Sequence, residues 1–317
     1  MTSSTPLSPR APFFVVINAG SGRDDADEAI PTIRSILEAS GREFDVLEVA
    51  DPARLPERIA EALERARRAG GVVVAAGGDG TINAAAQQLI GSDVPLGVLP
   101  QGTFNYFGRE HGISQDVAES TRSLLRASAV PVQVGRVNGR VFLVNASLGL
   151  YPKLLEDREA FKQQFGRSRM AAAWSGLRTL LGERRQLQLE IESEGKRRTV
   201  RTPTLFVGNN RLQLERIGIA EAAMLENGCL AGVMLRPIGD LAMLGLALRG
   251  AFGRLGEAET VETFAMKRIT VTPRGKRRVR VALDGEVLRM APPIVFDVAP
   301  EPLLLMLPAP EDRVEVE

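Results

Sequence analysis

The stretch GGVVVAAGGDGTINAAAQ at residues 70–87 decides the fold of the first part of the chain. Val72–Ala76 is a short run of apolar β-branched and small residues, which is typical of a strand buried on both faces. Apolar residues from Ile82 to Leu89 recur at helical spacing, so the chain leaves the glycine turn 77–81 as a helix. Because glycine lacks a Cβ atom, this turn can take φ > 0 and let backbone N–H groups close on a phosphate at the helix N-terminus.

Asp79 lies inside this turn, where a carboxylate would repel a phosphate. A divalent cation between them removes the conflict, since Mg²⁺ is commonly held by one or two carboxylates and by substrate phosphates. That interpretation indicates nucleoside triphosphate chemistry. The alternative is that Asp79 only caps the helix, and the local pattern leaves both interpretations open. The chain contains neither G-x-x-x-x-G-K-[ST] nor G-x-G-x-x-G, the two commonest nucleotide-binding fingerprints.

Two further turns of small residues follow predicted strands. Phe13–Ile17 runs into Asn18–Arg23, and Leu96–Pro100 runs into Gln101–Asn105. The intervening segments alternate between strand and helix, and this βαβαβαβ order favours a parallel sheet with helices on both faces. The three turns would then lie together at the carboxyl edge of the sheet, where open α/β sheets bind their ligands. The other elements predicted here are a helix at Ala26–Ser40, a strand at Phe44–Val49 and a helix at Leu55–Ala69.

The pattern changes near Pro131 to many short strands separated by turn residues, which predicts a largely antiparallel β-sandwich. Asn138-Gly139 is a strong signal for a two-residue hairpin loop. The primary interpretation of Asp284-Gly285 is also a hairpin turn. Helices are predicted at Tyr151–Gly182 and Asp240–Leu255. The predicted strands are Val132–Val137, Arg140–Val144, Gln186–Glu192, Val200–Val207, Gly228–Leu235, Glu262–Thr272, Val279–Leu283, Pro293–Val298 and Leu303–Leu307.

The composition excludes several classes of function. A length of 317 residues suggests two domains, and a net charge of +1 gives no basic bias towards nucleic acid. Cys229 and His111 are the only residues of their kinds, so an internal disulfide and a zinc-hydrolase site are both disfavoured. No apolar run approaches the length of a transmembrane helix, and the N-terminal residues have no secretory h-region. These observations predict a cytoplasmic protein.

Three motifs occur in order along the chain: Gly77-Gly78-Asp79-Gly80-Thr81, Gly102-Thr103-x-Asn105 and Asp284-Gly285-Glu286. Together they resemble the diacylglycerol kinase catalytic-domain family, which includes bacterial lipid kinases and sphingosine and ceramide kinases. The resemblance runs from about Phe13 to Pro308. It implies an α/β plus β fold: an N-terminal three-layer α/β nucleotide-binding domain, like that of NAD kinases and diacylglycerol kinases, followed by a C-terminal β-sandwich, with a cleft between them. The expected domains are 12–130, completed by 301–310, and 131–300.

The resemblance also implies roles for individual residues. Asp79 is expected near Mg²⁺ and the γ-phosphate, and Glu286 matches the glutamate that takes the proton of the acceptor hydroxyl. By spacing alone, the hairpin interpretation of the Asp-Gly pair outweighs the catalytic one. The residues matched to the nucleotide-binding turns are Asn18, Ser21, Gly22, Gly77, Gly78, Gly80, Thr81, Gly102, Thr103 and Asn105.

The implied function is an ATP-dependent lipid kinase that requires Mg²⁺ and transfers the γ-phosphoryl group to a lipid hydroxyl. Such an enzyme must reach its acceptor at a membrane surface. The segment from Arg158 to Arg201 has eleven basic residues against five glutamates, which suits peripheral contact with anionic lipid, although a solvated surface explains it too. Further candidates for this contact are the predicted helix at 240–255 and the segment 161–181.

Other functions remain open at this point. GGDG is shared with NAD kinases and phosphofructokinases, so a soluble-substrate kinase is one alternative. A nucleotide-binding regulatory module without turnover is another alternative, because two positions depart from the family pattern. Tyr106 stands where the family commonly has Asp. Glu226-Asn227-Gly228 stands where several bacterial members have Asp-Asp-Gly at a structural metal. Ala19 replaces the usual Pro of the first turn. The sequence leaves open the acceptor lipid and the oligomeric state, a homodimer included.

Overall fold

A computed structural model describes residues 8, 10–18, 23–150, 152–153, 155, 186–193, 195–237, 249 and 258–315, without the side chains of 23–27, 220, 221, 224 and 226. The chain divides into two compact units. The first unit comprises Met1–Val134 and Ala299–Glu317, and the second comprises Gly135–Val298. The helices predicted at 151–182 and 240–255 lie almost wholly outside the described residues.

The elements of the first unit alternate between strand and helix. In chain order they are β1 Phe13–Asn18, α1 Arg23–Ala39, β2 Phe44–Val49, α2 Leu55–Ala69, β3 Val72–Gly77, α3 Asp79–Leu89, β4 Leu96–Pro100, α4 Tyr106–Glu110, α5 Val117–Arg126 and β5 Ser128–Val132. Short 3₁₀ turns lie at Pro52–Arg54 and Pro310–Asp312.

The second unit is rich in strands. Its elements are β6 Gly135–Val137, β7 Arg140–Phe142, β8 Asn145–Gly149, β9 Leu187–Ser193, β10 Lys196–Thr202, β11 Thr204–Gly208, α6 Arg211–Arg216, a 3₁₀ segment Ala220–Asn227, β12 Leu230–Leu235, β13 Val261–Met266, β14 Arg268–Pro273, β15 Val279–Leu283, β16 Glu286–Met290 and β17 Ile294–Val298. The last strand, β18 Leu303–Leu307, belongs to the first unit.

The first unit is built on one six-stranded sheet in the order β2-β1-β3-β4-β18-β5. Strand β18 pairs parallel to β4 at one edge and antiparallel to β5 at the other, and the remaining neighbours are parallel. The predicted N-terminal α/β domain with a parallel sheet is therefore confirmed. The end of the chain returns to this sheet and completes it.

The core of the first unit explains why its central strands are apolar throughout. Every residue of β1 and β3 is buried, as expected for parallel strands covered on both faces. Helix α1 packs Ile33 and Leu37 into the same cluster as Phe13 and Val74. Helix α2 ends at Gly70, whose left-handed backbone (φ 61°) suits a residue without Cβ.

The second unit consists of two six-stranded sheets that share one hydrophobic core. Their strand orders are β10-β9-β14-β17-β6-β7 and β13-β12-β11-β8-β15-β16, with antiparallel neighbours throughout. Side chains such as Ile191 and Phe296 from the first sheet meet Leu148 and Val281 from the second. The predicted strand-rich C-terminal region is confirmed.

The predicted single strand over Val200–Val207 is wrong, because the chain changes sheets within it. Strand β10 ends at Thr202 and β11 begins at Thr204. Pro203 between them has no N–H group to donate to a strand ladder, so it marks the break.

Two other predicted strands are also divided. The segment Glu262–Thr272 forms β13 and β14 in different sheets, and the carbonyl of Lys267 between them accepts from the N–H of Val298. The segment Val132–Val137 contains the end of β5 and the whole of β6, which belong to different units. In neither case do turn residues in the sequence mark the division. No helix among the described residues has the length and apolar character to span a bilayer.

His111 follows α4 and packs its ring edge-on against Phe107, with ring centroids 4.8 Å apart. Burial lowers the pKa of His111 to about 4, and the charge of Arg313 adds to the shift. The imidazole is therefore neutral over the physiological range and acts as a packing group of the first unit. Arg313 is close because the C-terminal segment returns here: the N–H of Val314 donates to the carbonyl of Gly112.

We predict that His111→Phe makes the protein less sensitive to acid. Since the unfolded chain protonates this imidazole near pH 6.5 and the folded chain only near pH 4, the wild type loses stability as the pH falls through this window. Relative to the variant, the wild type should lose about 1–2 kcal/mol between about pH 7.5 and about pH 5. Urea denaturation of both proteins, followed by circular dichroism, measures the difference. A stability difference that stays constant with pH contradicts this assignment.

Candidate active site

The carboxyl ends of three adjacent parallel strands align at one edge of the first sheet. Ile17 of β1 pairs with Ala76 of β3, and Ala76 pairs with Leu99 of β4. The turns that follow β1, β3 and β4 therefore start side by side, as the sequence predicted. Ser21 and Gly22 of the first turn lie outside the described residues.

Asn18 and Thr81 connect the first turn to the second. The side-chain amide of Asn18 donates to the hydroxyl of Thr81 at 3.2 Å, and both residues are buried. The N–H of Thr81 in turn donates to the carbonyl of Gly78 at 2.9 Å. These two residues hold the turns at a set distance from each other.

The second and third turns meet backbone to backbone at glycines. A Cβ atom on Gly102 would lie 2.8 Å from the Cα of Gly78, and one on Gly77 would lie 2.6 Å from the hydroxyl of Thr81. Both distances are too short for real atoms, so a side chain at Gly102 would push the two turns apart and one at Gly77 would displace Thr81. The N–H of Gln101 donates to the carbonyl of Gly77 at 2.9 Å and closes the contact.

The glycines of the GGDG turn do not use the left-handed conformation that glycine permits. Gly78 has φ −80° at the N-cap of α3, and neither Gly77 nor Gly80 is among the glycines with positive φ. Gly77 is required here because the side chain of Thr81 approaches it closely, rather than for a left-handed conformation. Gly80 is exposed, so this turn also presents open backbone to a ligand.

Asp79 opens α3, and its carboxylate faces the start of α4. Burial raises the pKa of Asp79 above the ordinary aspartate value, and the backbone N–H groups of Asn105, Phe107 and Tyr106 offset part of this shift. Its Oδ1 atom is buried and has no hydrogen-bond partner in the described part of the chain. A buried carboxylate oxygen without a partner is unfavourable unless a ligand satisfies it.

Mg²⁺ fits this arrangement. The unpaired Oδ1 of Asp79 offers a hard anionic oxygen, which is the donor that Mg²⁺ prefers. Within the described ranges no group of three or more Asp, Glu, His or Cys side chains could hold a metal on its own. A cation at Asp79 would therefore depend on oxygens supplied by a nucleotide and by water.

The amide of Asn105 is committed to the interior of the third turn. Its backbone is left-handed (φ 47°), its side chain is buried, and its Oδ1 accepts from the N–H of Gly102 at 2.9 Å. Its Nδ2 donates to the carbonyl of Gly102 at 2.7 Å and to the side chain of Gln115 at 3.1 Å. Thr103 is exposed, and Phe104, which is 50% exposed, stacks on Tyr106 with centroids 5.9 Å apart. Thr103 is thus the accessible polar side chain of the matched motif, whereas Asn105 stabilises the turn.

Gln101 is a residue of this region that the matched motifs do not include. Its Nε2 atom is buried and lacks a partner in the described part of the chain. The signal that could have found it is a polar residue placed between a strand-ending Pro100 and the close-packed Gly102.

Glu286 lies in the second unit, at the start of β16, and its side chain is exposed. It follows a turn in which Asp284 (φ 44°) and Gly285 (φ 94°) both have left-handed backbones, so the predicted hairpin is confirmed. Asp284 performs a second task that the sequence did not predict. Its carboxylate accepts the N–H groups of Leu143, Val144 and Asn145, at 2.7, 2.9 and 2.9 Å, and so anchors the hairpin to the start of β8.

Comparisons with known proteins agree with the motifs. Residues 12–137 match the family model of the diacylglycerol kinase catalytic domain. The chain is 30% identical to a diacylglycerol kinase of Bacillus subtilis over 186 residues, which are 57% of this chain and 59% of the relative. It is 42% identical to a Klebsiella pneumoniae protein named "Probable lipid kinase YegS-like" over 79 residues, which are 24% of this chain and 27% of the relative. The resemblance to the family is confirmed over residues 12–137.

The fold agrees over a longer stretch than the sequence. A crystal structure of a diacylglycerol kinase from Bacillus anthracis superposes with a TM-score of 0.67 at 17% identity, covering 95% of this chain and 98% of that one. At this identity the likeness concerns the fold alone. The sequence alignments cover less than two thirds of either relative's length.

We predict that Asp79→Asn stabilises the protein when Mg²⁺ and nucleotide are absent. Because burial raises the pKa of Asp79, its ionised form destabilises the folded state above that pKa, and a neutral amide removes the penalty. We expect a gain of about 1 kcal/mol, or roughly 2–4 °C in Tm, at about pH 8 and a smaller gain near pH 4. Asp93→Asn, at an exposed position of the same unit, is the matched control and should leave Tm unchanged. A lower Tm for Asp79→Asn at about pH 8 would contradict the argument.

We predict that Asp284→Ala destabilises the second unit by about 2–4 kcal/mol, because three backbone N–H groups lose a charged acceptor. Asp284→Asn should lose roughly half as much, since its amide oxygen still accepts and asparagine tolerates the left-handed backbone. Urea denaturation followed by circular dichroism gives both values. Equal stability of the alanine variant and the wild type would show that the three hydrogen bonds contribute nothing net.

Proposed function

We propose that this protein is an ATP-dependent lipid kinase, which transfers the γ-phosphoryl group of ATP to a hydroxyl group of a diacylglycerol-like lipid. The observation that carries the proposal is the alignment of three small-residue turns at one edge of a parallel sheet, in a domain of the diacylglycerol kinase family. The proposal includes a first unit of three layers, with helices on both faces of the sheet as in NAD kinases.

In this proposal the turns hold the phosphates of the nucleotide. Helix α3 begins at the GGDG turn, so its free N–H groups and its dipole favour negative charge there. The exposed Gly80 and Thr103 are accessible for direct contact. Asn18, Thr81 and Asn105 act on the nucleotide through the shape of the turns. Ser21 and Gly22 are assigned by their match to the family.

Asp79 is the residue that would hold Mg²⁺ beside the phosphates. When bound, the cation neutralises the charge of the phosphate oxygens and keeps the γ-phosphoryl group aligned for displacement. Asp79 must be ionised for this task. Its raised pKa therefore predicts that cation binding weakens on acidification at a higher pH than for an exposed aspartate.

Glu286 is proposed to act as the general base. The acceptor hydroxyl oxygen forms a bond to the γ-phosphorus, the bond from that phosphorus to the ADP oxygen breaks, and the hydroxyl proton passes to the carboxylate of Glu286. Asp284 is a positioning residue in this scheme, because its hydrogen bonds to the start of β8 hold the hairpin that carries Glu286.

The acceptor places the reaction at a membrane surface. A lipid with acyl chains leaves the bilayer only at high free-energy cost, so we propose a cytoplasmic protein that contacts the membrane peripherally. The segments predicted to make this contact, 161–181 and 240–255, lie outside the described residues except for residue 249. A homodimer is compatible with the proposal.

The experiment is a transfer assay with labelled ATP, Mg²⁺ and lipid acceptors presented in vesicles. We expect the wild type to phosphorylate a diacylglycerol-like lipid, and both Asp79→Asn and Glu286→Gln to lower kcat by about 10²-fold or more. Asp93→Asn and Glu192→Gln, which change exposed or half-exposed carboxylates away from the site, should retain wild-type rates.

The outcomes separate the proposal from its rivals. Transfer to NAD or a sugar phosphate but to no lipid would favour a soluble-substrate kinase. ATP binding without product from any acceptor would favour a regulatory module. An unchanged kcat in Glu286→Gln would assign the proton to another residue, and full activity of Asp79→Asn would remove the proposed cation site.

A further inference from the structure

Among the described residues of the first unit, two buried polar atoms lack hydrogen-bond partners, and both belong to the paired turns after β3 and β4. They are Oδ1 of Asp79 and Nε2 of Gln101. Leaving a buried polar group unpaired destabilises a fold, because the group loses its hydration without gaining a hydrogen bond. Two such atoms in adjacent turns therefore indicate a ligand rather than two separate defects.

The two residues are held next to each other by the backbone. Gln101 follows Pro100, the last residue of β4, and its N–H donates to the carbonyl of Gly77, two residues before Asp79. The backbones of Gly78 and Gly102 are in contact one residue further along each turn. Thr103 and Gly80 are exposed, so this part of the site is open to ligand.

The two unpaired atoms have opposite requirements. Oδ1 of Asp79 is an anionic acceptor, which a cation satisfies, and Nε2 of Gln101 is a donor, which an anionic oxygen satisfies. They are not hydrogen-bonded to each other. A cation alone would satisfy Asp79 only, and a phosphate alone would be repelled by it. A phosphate that carries its own divalent cation meets both requirements.

We propose that the side-chain amide of Gln101 donates a hydrogen bond to a phosphate oxygen of the nucleotide whose Mg²⁺ is held by Asp79. The inference rests on the proposed function and adds a phosphate-binding residue outside the matched motifs. With this contact the site favours the metal-bound form of the nucleotide, because the phosphate oxygen satisfies the Gln101 donor while the cation satisfies the Asp79 carboxylate.

This assignment has two consequences of opposite sign. Removal of the amide should weaken nucleotide binding, because a hydrogen bond to a charged phosphate is lost. The same change should stabilise the protein without ligand, because an unpaired buried donor is replaced by an apolar group. A glutamine that serves only the structure would produce the reverse: lower stability and unchanged binding.

The experiment measures the Kd of a fluorescent ATP analogue with Mg²⁺ and without lipid, together with Tm without ligand. For Gln101→Met we expect Kd to rise about tenfold and Tm to rise by about 2–4 °C. For Gln101→Glu, which replaces the donor with a second carboxylate of the same shape, Kd should rise about a hundredfold or more. Gln88→Met is the matched control: its amide donates to the carbonyl of Pro56 on the surface of the same unit, and its Kd should match the wild type.

Three results overturn the inference. Wild-type affinity in Gln101→Met shows that the amide does not contact the nucleotide. Tighter Mg²⁺-dependent binding in Gln101→Glu shows that the amide oxygen, rather than the nitrogen, faces inward and binds the cation. If the wild type binds no nucleotide, both the proposed function and the inference fail. If the wild type phosphorylates lipid and the Kd of Gln101→Met is unchanged, only the inference fails.

Discussion

The contact between Gly78 and Gly102 is the constraint on which the candidate site depends. A Cβ on Gly102 would lie 2.8 Å from the Cα of Gly78, so the turns after β3 and β4 can meet only as bare backbone. Because they meet, the carboxylate of Asp79 at the start of α3 faces the N–H groups at the start of α4. The register of the parallel strands aligns the ends of the turns, and the absence of a side chain at Gly102 lets them come together.

Two aspartates in glycine-containing turns illustrate how hydrogen bonding separates structural from functional roles. Asp284 receives three backbone N–H groups, so its charge is compensated inside the fold and the residue stabilises its hairpin. Asp79 also faces backbone N–H groups, those of Asn105, Phe107 and Tyr106, but its Oδ1 is buried without a partner among the described residues and burial raises its pKa. A residue that destabilises the empty protein is retained most readily where a ligand compensates it. The same side chain in similar sequence surroundings is therefore satisfied within the fold in one unit and keeps an unpaired oxygen in the other.

Much of the fold could be predicted because the spacing of apolar residues along the chain indicates which positions are buried. The fully apolar run at Val72–Ala76 is a central parallel strand, and Asn138-Gly139 forms its hairpin with positive φ at both positions. The divisions between strands were harder to predict. The alternation shifts by one residue at Lys267-Arg268, where the chain changes sheets, but the segment has no Pro or Gly at that point and so resembles one continuous strand. Pro203 did carry a signal, because it has no N–H group to share in a ladder.

The candidate site was predicted as a region but not atom by atom, and the reason is physical. Short polar residues beside glycines can serve a turn or a ligand, and both uses select the same amino acids. What separates them is whether their hydrogen-bonding capacity is used within the turn. The amide of Asn105 is saturated by Gly102 and Gln115, a result that depends on its left-handed backbone and on a residue ten positions away. Gln101 belongs to no matched motif, yet its amide nitrogen is buried and unpaired. A motif thus predicts the turn that would meet a phosphate, whereas the unpaired atoms identify which side chains remain available to bind a ligand.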